Sequence, residues 1–174
     1  MSASAGIALA LSSFSLPAHH FPATTEPIVS LSPSRNRSLL LVSTLDSTHR
    51  ILDLSDGSVL QSLKGHRNST NRCHAVWAHD EASVLAGDET GLLWAWDVLS
   101  GQGEPLKPDQ ILSAKTAYGD RRRGAEPRAA QIAADVAHAR AVLWTEVSPA
   151  AASASGSPCL TAGADGVLKI WQLA

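Results

Sequence analysis

From Ile28 onward, short apolar runs alternate with clusters of small, acidic and glycine residues. The clearest case spans Ser83 to Asp97: an apolar run ends at Gly87, a polar turn follows at Thr90-Gly91, and a second apolar run continues from Leu92 to Val98. In that second run Leu92, Trp94 and Trp96 fall on one face of a strand, and Leu93 and Ala95 on the other. Both faces are apolar, the mark of a strand covered on two sides. The run–turn–run pattern recurs from Leu41 to Asp53, with its turn at Asp46-Ser47, and from Leu160 to Gln172, with its turn at Asp165-Gly166. Glycine and aspartate tolerate the backbone angles of such tight hairpins. Upstream, Ile28–Pro33 and Ala141–Pro149 read as first strands that each end in Ser-Pro. The pattern predicts an all-β chain of about three four-stranded antiparallel blades.

The blades are expected at about 27–64, 65–101 and 138–174, with Ser58–Leu63 as the outer strand of the first. Residues 1–26 form a Ser/Ala/Pro leader expected to be disordered, although Gly6–Leu11 could serve as a borrowed outer strand. Residues 102–137 form a long insertion, expected to be partly helical from Pro127 to His138 because proline suits a first helical turn and helix formers follow. A rival reading places the outer strand of the second blade near Gln131–Val136. The stretch Ala150–Ser157 reads as a flexible hairpin loop. At roughly 40–45 residues per blade, such a chain forms an open arc, and uncapped blades favour self-association.

Composition narrows the chemistry. A net charge of −2 with 17% charged residues provides no strong field for nucleic acid or anionic lipid, so neither direct nucleic-acid nor membrane binding is expected. Cys73 and Cys159 are too few and unpatterned for a disulfide framework. No nucleophile elbow or phosphate-binding glycine loop is present, so no catalytic residue and no cofactor are expected. His66, His74 and His79 invite a metal reading, but they lack the carboxylate spacing of a ligand set. A structural histidine at His66 is the better reading, and no metal is expected.

Gly65-His66 precedes Trp96-Asp97 by about thirty residues, and Leu52-Asp53 and Trp171-Gln172 occupy the corresponding dipeptide positions. This bracket resembles the WD-repeat β-propeller family. The segment Leu40–Asp53, continuing through Gly57, Leu60, Lys64-Gly65-His66 and Asn68, is similar in particular to the C-terminal half of a kinase-cascade organizer of that family. The resemblance implies a partial propeller acting as a non-enzymatic protein-binding scaffold in the cytoplasm, the nucleus or both. Its partners would be kinase-cascade components. The alternatives are a peripheral protein-binding role in pre-mRNA splicing, or a truncated product without independent function. The structural repeat residues would be Gly65, His66, Trp96, Asp97, Asp46, Asp53, Asp165 and Trp171.

In this family a histidine, a strand hydroxyl, a turn aspartate and a tryptophan form a hydrogen-bonded network. Here Gly87 and Thr90 take the hydroxyl and aspartate places of the second blade, so its network should not form in the usual way. Partner contacts are expected at the junction Gly65–Arg72 and the turns Leu45–Ser47 and Glu89–Gly91, on Arg67, Asn68, Arg72 and Trp94.

Overall fold

The computed structural model describes residues 25–107, 111–118, 137–148 and 157–173, the segment 111–118 by its backbone alone. The described residues form three antiparallel four-stranded sheets. The first contains β1 (Ile28–Pro33), β2 (Leu39–Thr44), β3 (Thr48–Asp53) and β4 (Val59–Leu63) in chain order. The second contains β5 (Ala75–Trp77), β6 (Ser83–Gly87), β7 (Leu93–Asp97) and β8 (Gly103–Pro105). The third has the order β10-β11-β12-β9, with β9 at Ile111–Tyr118, β10 at Val142–Val147, β11 at Ser157–Gly163 and β12 at Leu168–Leu173.

The first strands of neighbouring sheets sit side by side. The Ala75 amide donates to Ser30 Oγ of β1, and the His74 amide donates to the Leu143 carbonyl of β10. Two apolar layers join the sheets. Leu41, Ile51 and Leu63 of the first pack against Ala75, Trp77, Val84, Ala86 and Trp96 of the second. On the opposite face of the second sheet, Val76, Leu85 and Leu93 meet Val142, Cys159, Trp171 and Leu173 of the third. A strand covered on both sides therefore carries apolar residues on both, as β7 does. On the outer sheets several large apolar side chains face solvent: Ile28, Leu31 and Leu60 in the first, Trp144 and Ile170 in the third.

The segment after Gly101 departs from the sequence expectation. Residues 103–105 are β8, the outer strand of the second sheet, paired with β7 through Trp94–Pro105 and Trp96–Gly103. Neither an insertion starting at 102 nor an outer strand at Gln131–Val136 accounts for that edge. Residues 111–118 form β9, which runs antiparallel to β12 and closes the outer edge of the third sheet. Sequence reading misses this strand because pairing with β12 is a long-range choice that local pattern does not encode. The helix expected from Pro127 lies outside the described residues; its last two positions, Ala137 and His138, are bends rather than helix. The leader, including Gly6–Leu11, also lies outside them. So does the loop expected at Ala150–Ser157, except that Ser157 begins β11.

Candidate functional site

The hairpin turns between second and third strands gather at one end of the stack with the junctions that lead into the next sheet. The second residue of each turn has a left-handed backbone: φ is 57° at Ser47, 90° at Gly91 and 77° at Gly166. The junction Gly65–Arg72 is held between two of these turns. The Ser47 amide donates to the Asn68 carbonyl at 3.0 Å, and the Asn68 amide donates to Ser47 Oγ at 2.9 Å. On the other side the Glu89 amide donates to the Arg67 carbonyl at 2.9 Å.

The Glu89 carboxylate fixes the rest of the junction. It accepts the amides of Ser69, Thr70 and Asn71, and the Ser69 hydroxyl at 3.2 Å. Burial alone would raise its pKa, but the amides of Asn71, Thr70 and Ser69 outweigh that and hold it below the usual carboxylate range. An otherwise irregular eight-residue loop thereby becomes a fixed platform.

The four residues expected to contact a partner lie in different settings. The Arg67 side chain is 73% exposed, its Nε 3.8 Å from Glu89 Oε2, and Arg72 is also exposed. Asn68 is 0% exposed, so it is a junction residue facing the protein interior and not an available contact. Trp94 is half-buried against the first apolar layer; it stacks on Trp96 at 5.6 Å and donates Nε1 to Asp88 Oδ2 at 3.0 Å. It packs between the first and second blades.

The repeat residues build the frame. Asp53 and Asp97 receive the amides of Ser55 and Ser100, both at 2.7 Å, and so close the turns into the fourth strands. At Asp46, burial works against the charge, but Arg50 and Thr44 outweigh it and hold the carboxyl at about 2. Trp96 donates Nε1 to the Lys64 carbonyl at 2.8 Å, next to Gly65. In the second sheet Thr90 stands where Asp165 stands in the third, as expected, and Asp88, two residues earlier, receives the amides of Thr90 and Leu92.

The third sheet carries a complete four-residue relay, of which sequence reading identifies only Asp165 and Trp171. His138 Nδ1 faces Asp165 Oδ1 at 3.1 Å, its Nε2 meets Thr161 Oγ1 at 2.8 Å, and Trp171 Nε1 donates to Thr161 Oγ1 at 2.7 Å. His138 is obscured in the sequence because Ala137 stands where a glycine marks such a histidine. The pairing register also locates the hydroxyl position. Thr161 lies two residues beyond Cys159, the partner of Trp171, and the matching residue beyond Val84, the partner of Trp96, is Ala86. The missing hydroxyl of the second sheet is therefore at Ala86, not Gly87.

Without that hydroxyl, His66 makes a different contact. It stacks on His49 of the first sheet with centroids 4.1 Å apart, and the Trp96 ring lies edge-on to both at 5.1 Å. Burial pushes His66 down to about 4, despite the opposing charges of Asp88, Asp46 and Glu89. Burial and the neighbouring His66 push His49 well below its ordinary value. Both rings are therefore neutral in the folded protein at pH 7.

The unfolded chain binds these protons near pH 6.5, so stability is full above that pH and falls as pH drops toward about 4. For His66 alone the loss approaches about 3 kcal/mol. Asp46, with its depressed pKa, acts only at lower pH, as its carboxylate becomes protonated. The urea midpoint should decline between pH 7.5 and pH 5, and this decline should shrink in a His49→Phe/His66→Phe double variant. An unchanged slope in that variant would rule out the stacked pair as its source.

No family model matches the chain. Human WD repeat domain-containing protein 83 is 35% identical over 75 residues, which are 43% of this chain and 24% of that protein. A WD repeat-containing protein of Schizosaccharomyces pombe is 32% identical over 74 residues, covering 42% and 25%. The Dictyostelium discoideum homolog of WD repeat domain-containing protein 83 is 26% identical over 78 residues, covering 45% and 24%. The chain resembles the WD-repeat family. The matched stretch spans about a quarter of the length of these curated relatives. The four-stranded sheets fit WD-repeat blades, and at the family level the likeness supports a protein-interaction scaffold.

Proposed function

We propose that this chain is a non-enzymatic scaffold that binds other proteins through the junction end of its blades. The observation that carries this reading is the Glu89 clasp. It fixes the backbone of Ser69–Asn71 while Arg67 and Arg72 project into solvent on either side. Preorganised backbone with exposed arginine is an economical contact surface, because little loop entropy is lost on association. The similarity to a kinase-cascade organizer makes kinase-cascade components the first partners to seek, in cytoplasm or nucleus. Splicing factors are the second.

A pull-down comparing the native chain with Arg67→Ala/Arg72→Ala tests both parts. Kinase-cascade proteins should be captured by the native chain and recovered at least about tenfold less with the variant, a change of about 1.4 kcal/mol. Equal recovery would show that this surface is not the contact. Nuclease-resistant capture of splicing factors alone would move the chain to the second partner class.

A further inference from the structure

We infer that the junction end recognises an acidic segment of a partner protein, one with closely spaced carboxylate or phosphate groups. This rests on the scaffold reading above and names the partner's chemistry. The argument comes from how charges are distributed there. The four carboxylates at this end are each engaged by donors of the protein itself, Asp46 at the surface. Asp46 pairs with Arg50 at 2.5 Å, Asp88 is 2% exposed and holds its own turn, and Glu89 clasps the Ser69–Asn71 amides. Asp165 receives the amides of Ala139 and Val167, both at 3.0 Å, and faces His138.

The cations point outward. Arg67, Arg72 and Arg140 are all exposed, and neither Arg72 nor Arg140 makes an ion pair among the described residues. The bonded framework places these arginines around one turn. The Arg67 carbonyl accepts the Glu89 amide, the Gly91 carbonyl accepts the His138 amide, and the Asp88 carbonyl accepts the Val142 amide. Arg72 lies two residues before His74, whose amide bonds Leu143 just past Arg140. Three exposed arginines thus stand on backbone segments bonded to or beside the Asp88–Gly91 turn, and the nearby carboxylates are already satisfied by backbone or side-chain donors. Guanidinium forks match carboxylate and phosphate geometry bidentately, so closely spaced acidic groups are the complement of this surface.

The test is fluorescence anisotropy on the full chain with four labelled probes: a Glu/Ser peptide, a phosphoserine peptide, a Gln/Ser peptide of equal length, and a single-stranded oligonucleotide. The Glu/Ser or the phosphoserine peptide should bind about tenfold tighter than the neutral one, with affinity falling as salt rises. Preference between the two shows whether carboxylate or phosphate is the natural group. Arg67→Ala/Arg72→Ala/Arg140→Ala should abolish that advantage, and the single charge reversal Arg72→Glu should reduce it with little change in the thermal melt. Equal binding of the neutral peptide overturns the inference, as does an undiminished acidic preference in both variants. So does tighter binding of the oligonucleotide than of either acidic peptide. If protein capture depends on Arg67 and Arg72 while no acidic peptide binds, the scaffold reading stands and the acidic-partner inference alone fails.

Discussion

Replacing Trp96 with alanine should remove about 3–5 kcal/mol of stability, a large part of what a domain of this kind possesses. Trp96 is 0% exposed and belongs to the layer that joins the first two sheets. Its ring is contacted edge-on by His49 and His66 and is stacked by Trp94. A Cβ at Gly103 would come within 1.9 Å of it, which shows how tightly the outer strand is drawn over the indole. Truncation would leave a cavity between blades and an unpaired Lys64 carbonyl. Trp96→Phe keeps much of the volume and should lose substantially less. The urea midpoint and slope read the difference; an alanine variant as stable as the native chain would mean that the two sheets do not depend on this contact.

Gly91→Ala should be nearly as damaging, for a different reason. Its φ of 90° disfavours any side chain, and an added Cβ would lie 2.1 Å from the His138 carbonyl oxygen and 3.0 Å from that of Arg140. Both obstacles are backbone and cannot rotate away. Relieving the clash means separating the turn from the next junction, which breaks the His138 amide bond to Gly91. The expected loss is about 3 kcal/mol or more, combining left-handed strain with lost inter-blade bonds. Gly166 provides the control, since its φ is 77° but nothing lies within 4 Å of an added Cβ. Gly166→Ala should cost about 1–2 kcal/mol, the strain alone. Equal losses at the two positions, measured by thermal or urea unfolding, would show that the close approach at Gly91 contributes nothing.

Both predictions concern contacts between blades, where sequence reading is weakest. The apolar alternation of Leu93–Asp97, with its turn residues at Thr90-Gly91, is legible because strand period and turn chemistry are local properties. So are Trp96 and Trp171, whose size and spacing mark them as core. Other features depend on which segments meet. β9 completes the third sheet because its backbone finds the free edge of β12, a pairing separated by a long stretch of chain. Asn68 reads as a polar loop residue, yet the Ser47 turn closes over it and leaves it 0% exposed. His138 lacks its usual glycine and becomes recognisable only when Thr161, Asp165 and Trp171 converge on it.

The sequence by itself determined the alternating strands, the tight turns and the tryptophans, because each follows from the side-chain period and local backbone preference. Only the tertiary structure decided which carboxylates turn inward and which arginines remain outside. A charged side chain's availability depends on the donors and acceptors that distant segments bring to it, as Ser69–Asn71 bring theirs to Glu89.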